Sequence, residues 1–316
     1  MIRENSMRPF QPGDVFLGCT LLNDPTDDHA GLGRILQYDK NFNIRGVLWT
    51  QGTTHFVGGL AFDRNGLLWA FDGQTVVHVD PKTGRQLPLA TSFLPRSYRS
   101  ASFARDGSIY LGEHMKGKEP PPGIEKMTTM TFRRIAGEGV LGYGCIYKYD
   151  SDWRLVKVFE PETAPEFTGF KGVTHSTLHP SEKFIAYATE TGKRLMRYDV
   201  VDDRQMPDLL TLPGELRDRN YVVAVRYLPD GRLIVARGDW LDVLDEEGRS
   251  LRTYKLPEFG WAEIGLCADG KHIFVSNMFT GIMIKVNLDS GDIVGWIVTG
   301  MVAPRRSLAG VAEYAG

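Results

Sequence analysis

Residues 59–72 read GLAFDRNGLLWAFD and residues 101–114 read ASFARDGSIYLGEH. In each, two short apolar runs flank an Asn-Gly or Asp-Gly pair, and such pairs suit the left-handed corners of a tight hairpin. The arrangement returns at 225–236 (VRYLPDGRLIVA) and 264–275 (IGLCADGKHIFV), while at 176–188 (STLHPSEKFIAYA) Ser-Glu takes the place of the Gly turn. The hairpin is therefore one half of a repeat.

The other half is a short apolar run ending in an acid or its amide. RILQYD ends at Asp39, VVHVD at Asp80, CIYKYD at Asp150, RLMRYD at Asp199, LDVLD at Asp245 and MIKVN at Asn287, giving spacings of 41, 70, 49, 46 and 42 residues. The outlier becomes 42 once the 28-residue Pro-, Gly- and Met-rich stretch at 115–142 is set aside as an insertion. Turn chemistry follows each run, as in PKTGR, EEGR and DSGD, and then another strand such as IRGVLW or IVGWIV. Four short antiparallel strands per unit, A to D, at this period and without helical periodicity between them, predict an all-β, six-bladed β-propeller. The chain opens on a B-like strand (DVFLGCTLL) and closes on an A-like one (SLAGVAEY). Placing both in one blade closes the ring and hides two strand edges. The expectation is one domain over 1–316, with the insertion at about 115–142 rising from blade three as a lid.

Composition agrees. Of 316 residues, 35 are Gly and 34 are aromatic (6 Trp, 12 Tyr, 16 Phe), which fits a turn-rich fold with a large core. A net charge of −2 argues against nucleic-acid or polybasic membrane partners, which call for a basic surface. Cys19, Cys145 and Cys267 are odd in number and lack CxxC spacing, so neither a disulfide framework nor a zinc ribbon is implied. The N-terminus has no apolar signal core, and no run of 18 apolar residues occurs, so the expected location is the cytoplasm.

The segments GLAFDRNGLLWAFD and ASFARDGSIYLGEH resemble the strand A to B signature of the NHL-repeat and senescence-marker-protein/gluconolactonase group of six-bladed propellers. The resemblance spans the chain as a repeat pattern, and its motifs are structural. It implies a range of functions: calcium- or zinc-dependent lactonases and esterases, strictosidine-synthase-like enzymes, a related seven-bladed lyase acting on virginiamycin B, and non-catalytic scaffolds. Gluconolactonase-type sites place a Glu at an A-strand start with Asn and Asp ligands from later blades, and that Asn-then-Asp pair is poorly reproduced here. Function has to come from the site.

In a propeller, strand A starts and strand B ends open on one face. The A-strand slots hold Gly59, Ser100, His175, Ala224 and Glu263, so His175 and Glu263 fill positions that are otherwise small. The B-strand ends hold Asp72, Glu113 with His114, Glu190, Arg237 with Asp239, and Asn277. His175, Glu263, Glu190, His114 and Glu113 are the candidate catalytic set. Glu113, Glu190, Glu263 and Asn277 are the donors a single Ca²⁺, Mg²⁺ or Zn²⁺ would use to polarise a carbonyl or acidify water. Without a metal, His175 suits proton abstraction, with Glu263 or Glu190 orienting it.

Arg99 and Arg237 are placed to hold a carboxylate or an oxyanion. Tyr98, Tyr221 and Trp261, with His55 and Asn277, would line the mouth against an apolar or aromatic substrate. Each set has a structural reading beside the functional one: strand-end acids cap turns, arginines pair between blades and rings pack between sheets. No organic cofactor is implied. GEGVLG at 137–142 lacks a βαβ context, GEHMKGKE at 112–119 has Glu where a phosphate loop needs Ser or Thr, and His29 beside Asp27 and Asp28 reads as a solvated loop. Three functions stay open: a lactone or ester hydrolase, a lyase working by proton abstraction, and a propeller that binds a metabolite or protein without chemistry. Oligomeric state is not legible.

Overall fold

The structure, a computed structural model, describes residues 4–22, 31–53, 57–116, 144–163, 170–190, 192–215, 218–301 and 306–316. Its strands, in chain order, begin with β1 (Val15–Leu22), β2 (Gly31–Tyr38) and β3 (Ile44–Trp49), then β4 (Val57–Phe62), β5 (Leu68–Asp72), β6 (Thr75–Asp80) and β7 (Arg85–Gln86). Next come β8 (Tyr98–Phe103), β9 (Ile109–Lys116), β10 (Ile146–Tyr149), β11 (Leu155–Phe159) and β12 (Phe170–Gly172), followed by β13 (His175–Leu178), β14 (Phe184–Ala188), β15 (Arg194–Asp199) and β16 (Arg204–Thr211). The chain continues with β17 (Val222–Tyr227), β18 (Leu233–Arg237), β19 (Trp240–Leu244) and β20 (Ser250–Lys255), then β21 (Trp261–Leu266), β22 (His272–Asn277), β23 (Ile282–Asn287), β24 (Ile293–Val298) and β25 (Arg306–Glu313).

These strands form six sheets, and the fold is an all-β six-bladed propeller. Each Asn-Gly or Asp-Gly pair sits in the turn between the first two strands of its blade, as the sequence pattern requires. Four strands per blade are found as expected, and the third sheet carries one short strand more. There β9 does not stop at His114 but runs on to Lys116, and its extension pairs with the extra strand β12 through Met115↔Lys171 and His114↔Gly172. Residues 114–116 and 170–172 thus form a short two-stranded ribbon at the end of β9. Of the lid expected at about 115–142, all but residues 115 and 116 lies outside the described residues, as do His55 and the Asp27–Asp28–His29 loop.

The chain divides into two compact units, one of Met1–Thr91 with Ala262–Gly316 and one built mainly of Ser92–Lys126 and Phe132–Trp261. In the first, β25 pairs antiparallel with β1 from Val15↔Glu313 to Leu21↔Arg306, so the two terminal strands share one blade. Side chains on β1 alternate between two neighbouring blades. Val15, Leu17 and Cys19 join a core with Phe274, Met283 and Ile297, while Phe16 joins another with Val57, Leu68 and Val77. A strand buried on both faces needs an unbroken apolar run, which is why VFLGCTLL shows no polar alternation.

The second unit repeats this device. On β14, Ile185 and Tyr187 pack with Ile146, Phe159 and Met196, whereas Ala186 and Ala188 pack with Val222, Val225 and Val235. Hydroxyls then link the first strands of successive blades. Ser100 Oγ on β8 accepts the Ser176 N–H (3.1 Å) and Ser102 Oγ accepts the Leu178 N–H (3.0 Å), while Thr177 Oγ1 accepts the Tyr227 N–H (3.0 Å). Each of these strands has a sheet partner on one side only, and the preceding blade's hydroxyls take up amides on the other.

Candidate functional site

The second unit gathers a buried polar cluster where β8, β9, β13 and β14 meet. It begins with the segment Gly172-Val173-Thr174-His175. The Val173 N–H donates to the Glu113 carbonyl (2.8 Å) and the Thr174 N–H to the Ala188 carbonyl (3.0 Å), so the backbone is pinned to both neighbouring strands just before β13 starts. Gly172 has φ of 79°, and a Cβ there would stand 2.5 Å from the Glu113 carbonyl oxygen and 2.7 Å from Gly144 Cα. Only glycine lets these strands cross so closely.

His175 opens β13 opposite Ala188 and is 2% exposed. Burial holds its imidazole well below the ordinary histidine pKa, and the guanidiniums of Arg99 and Arg226 push it in the same direction. His175 is therefore neutral. Arg99 sits on β8 at a register shift between Tyr98 and Ser100, and its Nη2 lies 4.0 Å from Glu190 Oε2, both side chains being buried. Glu190 follows β14 and is held through its backbone, whose N–H donates to Thr174 Oγ1 (3.0 Å). The same hydroxyl lies 2.9 Å from His114 Nδ1, so Thr174 ties a β9 side chain to the end of β14. A neutral imidazole, a carboxylate and guanidiniums in one dry place can accept a proton and stabilise a developing negative charge.

Glu113 has a different task. Its Oε2 accepts the Gly144 N–H (3.0 Å), the Cys145 N–H (3.2 Å) and the Tyr147 hydroxyl (2.9 Å), with Arg96 Nε 3.7 Å from Oε1. Burial raises its pKa while these donors oppose the rise. The carboxylate thus fastens residues 144 and 145, where the chain returns from the insertion.

The remaining predicted residues are distributed as follows. Tyr98 is buried, with its hydroxyl 2.7 Å from that of Tyr149 and its ring edge-on to Tyr147. Tyr221 is buried against the edge of Phe259, and the buried Trp261 donates its Nε1–H to the Glu258 carbonyl (2.6 Å). All three rings are buried among neighbouring side chains. Arg237 pairs with Asp242 and donates to Asn220 (3.0 Å), an ion pair within its own blade and not between blades. Asp239 pairs with Lys255 on the facing strand.

In the first unit, Asp72 accepts from the Thr50 hydroxyl (3.0 Å), and Glu263 is buried on β21 with Oε1 accepting the Ile264 N–H (3.2 Å). Asn277 Oδ1 accepts the Phe279 and Thr280 amides at 2.9 and 3.1 Å, so it caps the turn after β22. Among the described residues no three His, Cys, Asp or Glu side chains are grouped so as to hold a metal ion. Of the four predicted donors, Glu113 has its Oε2 engaged by two amides and a phenol, and Asn277 has its Oδ1 engaged by two amides.

Two members of the cluster were missed in the sequence. Arg226 is a cation inside VVAVRY, where an inner strand of a propeller favours apolar residues, and that misfit was the available signal. Thr174 gave none, since a threonine before a strand is ordinary.

No known protein-family profile and no curated protein sequence matches the chain. Solved structures do resemble it. A chain of a nidogen/laminin complex aligns over 96% of this chain and 98% of its own length with a TM-score of 0.59 at 11% identity. A protein of unknown function from Bacteroides caccae aligns over 97% and 100% with a TM-score of 0.59 at 12% identity. A gluconolactonase from Xanthomonas campestris aligns over 85% of both chains with a TM-score of 0.53 at 13% identity. At such identities the likeness is one of fold. It places the chain among the propellers and leaves its chemistry to the residues.

Proposed function

We propose that the protein is an enzyme that hydrolyses a lactone or ester of a small molecule, using the buried cluster of the second unit. The observation that carries this reading is His175: an imidazole kept neutral by burial, flanked by Arg99 and Arg226, with Glu190 against Arg99. In the proposed reaction a water oxygen attacks the carbonyl carbon and gives its proton to His175. The negative charge that develops on the carbonyl oxygen is stabilised by guanidinium. The acyl C–O bond then breaks, and the proton returns from His175 to the departing oxygen, leaving a carboxylic acid and an alcohol, joined in one molecule if the substrate was a lactone. Glu190 acts by orienting Arg99. The gluconolactonase among the structural neighbours is in keeping with this reading.

The test is a panel of aliphatic and aromatic lactones and esters assayed with the wild type, His175→Gln and Glu190→Gln, with circular dichroism to check folding. His175→Gln is expected to lose about 10²–10⁴-fold in kcat/KM. Because His175 stays unprotonated below the ordinary histidine pKa, the acid limb of the wild-type profile should lie well below pH 6.5. Undiminished turnover in a folded His175→Gln variant would sink the assignment. Elimination products in place of hydrolysis products would move the protein to the lyase reading, and binding without turnover would make it a metabolite-binding propeller.

A further inference from the structure

We infer that Thr174 is a positioning residue that fixes His114 in the tautomer carrying its proton on Nε2. A threonine hydroxyl has one proton and two lone pairs. The Glu190 amide, which can only donate, takes one lone pair of Thr174 Oγ1 at 3.0 Å. His114 Nδ1 lies 2.9 Å from the same oxygen, and Thr174 is fully buried. Were Nδ1 protonated, both neighbours would donate to the hydroxyl, whose own proton would have no acceptor among the described residues in a place shut off from water. Donation from the hydroxyl to Nδ1 satisfies all three groups. The imidazole then has an acceptor Nδ1 facing Thr174 and a donor Nε2–H at its far side.

This separates the two histidines by role. His175 is a neutral proton acceptor, whereas His114 has its ring proton fixed on Nε2. In the hydrolysis proposed above, on which this second half rests, His114 is the hydrogen-bond donor to a substrate oxygen and His175 the base. The hydroxyl also holds the Glu190 backbone, so one side chain sets the orientation of a β9 group and a β14 group together.

The tautomer is measured directly by ¹⁵N–¹H correlation of histidine ring nitrogens in the ¹⁵N-labelled full chain, with His114 assigned by its disappearance in His114→Gln. Wild type and Thr174→Ser should show a pyridine-type Nδ1 and a pyrrole-type Nε2 for His114. Thr174→Val should lose this preference and show averaged shifts. A protonated Nδ1 in the neutral wild-type ring overturns the inference, as does an unchanged tautomer in folded Thr174→Val. The wild-type measurement stands even if the valine variant fails to fold. With a turned-over substrate in hand, Thr174→Val should lower kcat at least tenfold with little change in KM, and Thr174→Ser should restore it. An absence of turnover in the wild type defeats the proposed hydrolysis and leaves the tautomer result intact.

Discussion

Single residues show how far burial, more than identity, sets chemistry in this protein. His78 on β6 is 1% exposed and packs edge-on against Trp69 with ring centroids 4.2 Å apart. Burial lowers its pKa to about 4. The unfolded chain, with an ordinary histidine near 6.5, therefore binds the proton first as the pH falls. Stability from this residue is fully present above about pH 6.5 and is lost progressively toward pH 4, at up to about 1.4 kcal/mol per pH unit. Replacing His78 by Gln should flatten the denaturant midpoint across that window, and an unchanged slope would show that other groups govern acid unfolding. The sequence displayed His78 and His175 alike as histidines in strands. Only packing tells that one leans on a tryptophan and the other lies beside guanidiniums.

At the scale of elements, the inner strands depend on side-chain hydroxyls. Ser102 and Thr177 each accept an amide from the neighbouring blade's first strand, Leu178 and Tyr227 respectively. Removing either acceptor strands an N–H, buried at Tyr227 and part-buried at Leu178, so Thr177→Val is expected to cost about 1–3 kcal/mol and Ser102→Ala less. The two losses should couple in denaturant titrations, because Thr177 and Leu178 are consecutive on β13 and share a backbone. Near-neutral effects would mean that water takes over the amides. Strand positions and turns were readable from the Asn-Gly and Asp-Gly pairs, yet this ladder was not, since Ser and Thr on a β surface are unremarkable until the adjacent strand is known. For the same reason β12 went unseen: three residues, Phe170–Gly172, form a strand only because β9 extends to meet them.

At the scale of the whole molecule, the last strand completes the first blade. β25 covers one edge of β1 over its length, and Leu308 and Val311 fill the core against Phe274 and Met283. A chain ending at Met301 should expose the β1 edge and an apolar face together, and is expected to aggregate or unfold, as judged by size-exclusion chromatography and circular dichroism. A monomeric, folded truncation would contradict this account of closure. The number of blades, the order of strands within them and the sharing of one blade by the two termini were all determined by the sequence, because they follow from a hydrophobic period and from turn residues whose backbone preferences are local. The candidate site was only half determined. Sequence placed His175, His114, Glu190 and Arg99 at or beside strand ends, but the tertiary structure alone decided that Glu113 anchors a returning chain, that Arg237 is engaged by Asp242, and that Arg226 and Thr174 lie in the same cluster. Local preference fixes where a strand begins and ends. Which charges lose water, and which partners they meet when they do, depends on residues far apart in the chain and is settled only by packing.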